Sequence, residues 1–244
     1  MPFSSDRLID LNADVGEGPG EEPLYAQITS ANIACGGHAG DEGTMREAVR
    51  LALRHGVAIG AHPGYPDREG FGRVTMSLPP EALSLAIAAQ VGALVQAAKV
   101  EGASVTHVKP HGALYRDASR REIALAIASG VASVSSALVI IGLAGSPALR
   151  VWSERGFRVA AEGFADRAYA ADGTLVPRTQ ASALITDPEA AASQAIRLAH
   201  VGACDTICVH GDTKNAAAIA ATVRRGLGKA GFVLSAMAGR GSGT

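Results

Sequence analysis

Four of the seven histidines, His38, His62, His111 and His210, stand at or just past the ends of short apolar runs, each close to a glycine. Carboxylates recur at the same kind of place: Asp14 and Glu17 after the first run, Asp41 after the second, Glu162 and Asp166 after the sixth, Asp212 after the seventh. Lys109 ends the fourth run, in VKPHGALY (108–115). Taken singly, each histidine reads better as a hydrogen-bonded structural residue, and each loop carboxylate as a turn or cap residue. Asp41, just ahead of a helix, fits a cap as well as a site. The recurrence changes the balance, because ionisable groups gathered where strands end are poor core material and buried charges need partners. Imidazole with carboxylate can hold a divalent metal or act as general acid and base. No close ligand spacing such as H-x-x-x-H chooses between the two. Lys109 can serve as oxyanion stabiliser, carboxylate binder or nucleophile, and Arg73 and Arg167 can clamp a carboxylate or phosphate bidentately. Lys109 and His111 flank Pro110, whose φ is fixed. If that segment stays extended, both side chains share a face, and the ammonium lowers the pKa of the imidazole. His107, inside a run, reads as a satisfied core histidine; His55 and His200, near helix ends, read as solvated.

These residues need elements to position them. Apolar runs at 8–11, 28–34, 57–61, 105–108, 138–143, 157–161 and 206–209 alternate with helical stretches, and 232–236 is an eighth strand or a terminal edge. Thr44 with Glu47 predicts a capping box and Gly56 a helix stop. Pro79 and Pro80 open a long Ala-rich helix ending near Gly102; Ser119 with Glu122, Ser146-Pro147, Asp187-Pro188 and Thr213 start the others. A short helix fits at Glu22-Pro23. Strands alternating with helices predict βαβ units and a parallel sheet. Seven or eight such units favour a closed (β/α) barrel over an open sheet, since no G-x-G-x-x-G turn follows the first strand. In a barrel the strand C-termini gather on one face, which makes one constellation of scattered residues. The stretch 62–76, with Asp67, Arg68 and Phe71, has the length of a functional loop. No linker interrupts 1–244, which reads as a single domain.

Composition narrows the function classes. With 48% apolar residues, 4% aromatic residues and a net charge of −1, the chain lacks the basic patches of a nucleic-acid or membrane-surface binder. No apolar stretch reads as a membrane span and no signal peptide is visible, so neither a membrane nor a secretory route is expected. Cys35, Cys204 and Cys208, without C-x-x-C spacing, read as reduced, buried thiols of a cytoplasmic protein. GLGKA (226–230) lacks the spacing and the Ser/Thr of a P-loop, so no nucleotide site is inferred from it.

Six segments in order, DLNADVGEG (10–18), SANIACGGHAGD (30–41), GAHPGYPDREGFGR (60–73), VKPHGALY, EGFADRAY (162–169) and HGD (210–212), resemble the LamB/YcsF family, the A subunit of the bacterial ATP-dependent 5-oxoprolinase. The chain departs from that pattern at Gly37, where an aromatic is usual, and at Val74, where a basic residue is usual. The resemblance implies an irregular seven-stranded (β/α) barrel like those of the glycoside hydrolase/deacetylase superfamily. It also implies cytoplasmic cleavage of 5-oxo-L-proline to L-glutamate, with ATP hydrolysed to ADP and phosphate, and partner subunits B and C. ATP enters through the resemblance alone. Under this reading Asp14, His62, Lys109, His111 and Asp212 carry catalysis. Asn12, Glu17, Arg73, Glu162, Asp166, Arg167 and His210 contact the substrate, and a divalent metal would sit on Asp14, His38 and His62. The ATP requirement is chemically sensible: a five-membered lactam is an unstrained amide, and phosphorylating its carbonyl oxygen supplies a leaving group. Two other classes are compatible with the residues: a metal-dependent deacetylase-like hydrolase, and a non-catalytic substrate-binding subunit.

Overall fold

A computed structural model describes residues 7–211 and 215–237. Its centre is β1 (Arg7–Val15), whose Ile9, Leu11, Ala13 and Val15 alternate with Asp10, Asn12 and Asp14. Successive strand side chains point to opposite faces. The apolar set joins the main hydrophobic core, and the polar set, equally buried, faces the barrel interior. The strand β2 (Ser30–Ala34) repeats the pattern, with Ser30 and Asn32 inward.

Pairing is parallel throughout. β1 pairs with β2 on one side and β7 (Thr206–His210) on the other. The ring continues through β3 (Ala58–His62), β4 (Val105–Val108), β5 (Val139–Leu143) and β6 (Val159–Phe164), closing a seven-stranded barrel. The register sets Asp10 beside Thr206, Asn12 beside Ser30 and Cys208, and Asp14 beside Asn32 and His210. One sector of the interior is therefore polar in layers. Asp10, lowest of them, accepts hydrogen bonds from the hydroxyls of Thr29, Ser30 and Thr206. The last run forms β8 (Phe232–Leu234), which pairs only with Arg7–Ile9 at the start of β1, so it is an annex and not a barrel strand.

The helices are α1 (Glu22–Tyr25), α2 (Glu42–His55), α3 (Pro80–Val100), α4 (Gly112–Asp117), α5 (Arg121–Ala132), α6 (Pro147–Glu154), α7 (Pro188–Val201) and α8 (Ala216–Lys229). Several starts differ from expectation. The capping box of α2 is Asp41 with Thr44, each side chain bonded to the other's backbone N–H, while Glu47 pairs with Arg50. Asp41 is thus a cap and not a site residue. Arg120, without a side-chain cap, precedes α5; the unforeseen α4 ends at Asp117, which leaves Ser119 in the turn between the two helices. Asn215, in the left-handed region at φ 64°, precedes α8; Asp212 and Thr213 lie outside the described residues.

Contrary to the sequence expectation, α3 is long and apolar enough to span a membrane, with 21 residues and a window of mean hydropathy 1.5. Its stripe of Leu83, Ile87, Val91 and Leu94, at helical spacing, is fully buried, and the helix packs on α5, α2 and the β3–β4 wall. A helix clamped between barrel strands and two neighbours has that composition for core reasons.

Candidate active site

Lys109 follows β4, its N–H still donating to Ala61 of β3, and its side chain runs into the barrel. The ammonium lies 2.9 Å from both Asp14 Oδ1 and Glu162 Oε1. It also lies 3.0 Å from Cys208 Sγ and 5.3 Å from the Phe164 ring centre. All three ionic groups are buried. Asn12 Nδ2 donates to Glu162 Oε1, the Tyr115 hydroxyl donates to Glu162 Oε2 at 2.7 Å, and Asn32 Nδ2 donates to Asp14 Oδ1. Burial would raise the Asp14 carboxyl, but His62 and Lys109 outweigh it and hold the group well below the usual carboxylate range. Burial would likewise deprotonate Lys109, yet Asp14 foremost, with Cys208 and Glu162, lifts it well above its ordinary value. The group stays an ammonium, which leaves the nucleophile role without the free amine it requires. Burial and the Glu162 charge keep Tyr115 protonated as a donor.

Above this layer the histidines meet. His62, last residue of β3, donates Nδ1–H to the carbonyl of Lys109 at 2.7 Å and turns Nε2 inward. That nitrogen is 3.0 Å from His111 Nδ1, 3.3 Å from Asp14 Oδ2 and 3.7 Å from Glu17 Oε1. His111, at the head of α4, donates Nε2–H to the carbonyl of Phe71 at 2.9 Å, so its Nδ1 also faces inward, 3.2 Å from Glu17. His38 stacks on His111 with ring centres 3.5 Å apart and sets Nε2 2.8 Å from Glu17 Oε1. His38 Nδ1 is buried without a hydrogen-bond partner among the described residues. The Glu17 loop is held by Glu21, whose carboxylate accepts from the N–H groups of Gly16, Glu17 and Gly18. Gly72, at φ +63°, seats the 62–76 loop against these rings; a Cβ there would stand 2.8 Å from both His111 and His38.

Burial pushes His38 down to about 4 and lowers His111 as well. The expected direction for His111 holds, but burial is the chief cause, not Lys109. Lys109 reaches into the barrel while His111 turns to the mouth, so the two do not share a set of neighbours. His62 is raised: burial opposes its charge, and Asp14 overcomes burial. Burial would raise Glu17, but the His111 and His38 rings against it, with His62 close by, hold it far below the carboxylate range.

The residues that could hold a metal differ from the expected trio of Asp14, His38 and His62. Ligand atoms of Glu17, His38, His62 and His111 lie within 4.8 Å of one another, and Asp14 falls in a second group with Cys208 and His210. Asp14 is drawn aside by Lys109 and Asn32, and Glu17 and His111 complete the first group instead.

On the far side of the mouth Asp166, fully buried, accepts from both the backbone N–H and Nδ1–H of His210, each at 2.9 Å. The His210 ring stacks on Phe164, and its Nε2 is left as an acceptor. The Arg167 guanidinium donates to the carbonyls of Ala183 and Val176, pinning the loop after β6. Arg73, exposed at the rim, lies 4.9 Å over the Phe71 ring, which meets His38 and His111 edge-on. Glu162 lies within β6 and not beyond it. His107 is a core residue as expected, bonded to Asn32 and pushed by burial down to about 3. Asn12, Asp14, Glu17, His38, His62, Lys109, His111, Glu162, Asp166 and His210 thus converge on one end of the barrel.

Asn32, Tyr115, Phe164 and Cys208 contribute to the site without having been singled out. Asn32 had a signal, a polar residue at the inward phase of an apolar strand. Tyr115 had another, one helical turn past His111.

The LamB/YcsF family model matches residues 9–241. The crystal structure of a lactam utilization protein from Thermus thermophilus is similar at 42% identity and TM-score 0.87, over 94% of this chain and 99% of that one. An Enterococcus faecalis protein, given provisionally as a cellobiose-phosphate cleavage protein, shares the fold at 13% identity and TM-score 0.57, over 95% and 97% of the two chains. The catalytic domain of a peptidoglycan N-acetylglucosamine deacetylase from Eubacterium rectale shares it at 10% identity and TM-score 0.50, over 96% and 90%.

Proposed function

Because this chain belongs to the LamB/YcsF family, we propose that it is the barrel subunit of a cytoplasmic, ATP-dependent 5-oxoprolinase that opens 5-oxo-L-proline to L-glutamate. The observation that carries the reaction type is the Lys109 ammonium, buried between Asp14 and Glu162 beneath a mouth lined by His62, His111 and His210. The 42% identity to a lactam utilization protein supports the substrate class.

Hydrolysis adds water across the lactam C–N bond, so the carbonyl carbon gains an oxygen and the nitrogen leaves as an amine that needs a proton. Transfer of the ATP γ-phosphoryl group to the lactam oxygen would precede attack by water on the same carbon; the ring nitrogen, protonated, would then leave to give an acyl phosphate, and a second water would release phosphate and glutamate. In this reading the positive charge of the Lys109 ammonium would stabilise negative charge developing on oxygen, while Tyr115 holds Glu162 in place. His210 has Nδ1–H fixed by Asp166 and Nε2 free to accept a proton, the arrangement of an oriented general base. Subunits B and C supply the nucleotide site in this reading.

The test is glutamate release from 5-oxoproline and ATP by the purified chain, alone and assembled with subunits B and C. Release is expected only from the assembly, and His210→Ala is expected to lower it by about 10²-fold or more. ATP-driven turnover by the isolated chain refutes the partner requirement. An assembly carrying Asp14→Asn and His111→Ala that stays fully active makes this a binding subunit instead.

A further inference from the structure

The hydrogen-bond partners of the mouth histidines fix their tautomers, with a consequence independent of the substrate reading. The carbonyls of Lys109 and Phe71 can only accept, so His62 Nδ1 and His111 Nε2 carry the hydrogens. In neutral rings, His62 Nε2 and His111 Nδ1 then both present lone pairs, yet they face each other at 3.0 Å. Glu17 Oε1 adds a third electron-pair donor, 3.2 and 3.7 Å from them; His38 Nε2, 2.8 Å from that oxygen, donates its hydrogen to it or, with the hydrogen moved to Nδ1, supplies a fourth lone pair. Three lone pairs turned toward one buried point repel unless a cation lies among them. A single proton can bridge one pair; a metal ion satisfies all three, and His38 Nε2 as well once its hydrogen sits on Nδ1.

We propose that Glu17, His38, His62 and His111 form a binding site for one divalent transition metal of the zinc class. Four of the donor separations, 2.8 to 3.7 Å, bracket the value of about 3.3 Å set by tetrahedral Zn–N and Zn–O bonds, and all the donor atoms lie within 4.8 Å of one another. Three imidazoles with one carboxylate suit zinc, cobalt or iron and not magnesium or calcium, which take oxygen ligands. His62 and His111 already donate their outer N–H groups to backbone carbonyls, the support that metal-bound imidazoles ordinarily have. A second observation is the buried His38 ring, whose Nδ1 has no hydrogen-bond partner among the described residues, so nothing prevents that nitrogen from carrying the hydrogen and Nε2 from turning its lone pair to the site. A metal at Nε2 would anchor a ring otherwise held only by Glu17 and by stacking.

The test uses the full chain, stripped with chelator, dialysed and titrated with zinc sulfate or cobalt chloride. The expected result is one equivalent bound by elemental analysis and calorimetry, a raised Tm, and the visible absorption of four-coordinate cobalt. Glu17→Gln and His38→Ala should each weaken binding by about tenfold or more, while His55→Ala, on the exposed end of α2, should leave it unchanged. Wild-type protein that takes up no stoichiometric zinc and shows no shift in Tm overturns the proposal, leaving a His62 imidazolium shared with Asp14 and His111 as the bridging cation. Binding of one equivalent that survives Glu17→Gln combined with His38→Ala also overturns it. The wild-type titration decides even if a variant fails to fold.

Discussion

Lys109 holds two buried carboxylates with one charge, and its removal should show what that arrangement is worth. Lys109→Met leaves Asp14 and Glu162 buried without a cation, and breaking a buried pair in this way costs about 3–5 kcal/mol. Urea unfolding at pH 7 measures it; a loss under about 1 kcal/mol, the scale of an exposed pair, would mean that the pair is solvated. His107 gives a prediction in pH. Its folded pKa, near 3, lies below the unfolded value, so the unfolded chain binds the extra proton. The stability this contributes is complete above about pH 6.5 and is lost on acidification toward pH 3, with a slope of about 1.4 kcal/mol per pH unit. His107→Gln should flatten that limb of the stability curve; an unchanged limb refutes the assignment. At this scale the sequence shows which groups are out of place in a core, and the structure gathers them. It does not show whom each group faces. Lys109 and His111, two positions apart, part company because Lys109 still bonds to β3 while His111 already heads α4. Nor does the sequence show that Arg167 pins its own loop, since the carbonyls it meets lie nine and sixteen positions along the chain.

Strands were legible as apolar runs, but their lengths were not. Asp10, Asn12 and Asp14 in β1, and Glu162 in β6, interrupt apolarity because this barrel is polar inside, so the runs 8–11 and 157–161, stopped before Asn12 and Glu162, end short of the strands. Period-two reading recovers them. Helix starts misled where two capping candidates lay close together, as at Asp41 and Thr44, and α4 was too short to show a stripe. Membrane-span length was underestimated for α3 because its apolar content is spread over alanines. The β3–β4 contact carries its own prediction. A Cβ on Gly60 would stand 2.0 Å from His107 Nε2, where the pairing shifts register, and neither the strand nor the Asn32-bonded ring can yield freely. Gly60→Ala should destabilise by about 1–3 kcal/mol, the usual cost of overpacking. Most of that loss should vanish in a His107→Ala background, since directly contacting sites couple. Thermal unfolding of the four proteins measures the coupling, and additive losses would sink the explanation.

At the scale of the molecule, closing the ring is what turns dispersed residues into a site. The barrel class was readable from the strand–helix rhythm, whereas the status of the eighth run was not, because membership in a ring depends on register and not on composition. The seam that closes the ring joins β1 to β7, where Asp10 meets Thr206 across 196 positions of sequence. During synthesis on the ribosome, then, the first strand is made long before its last partner. At roughly 5–20 residues per second the interval is about ten to forty seconds. Throughout it one edge of β1 waits unpaired, the condition in which nascent strands recruit the wrong neighbour. Asp10, Asn12 and Asp14, hydrated until the ring shuts, make that edge a poor template for such an encounter. The residues that furnish the finished interior would thus act earlier as guardians of an unfinished one.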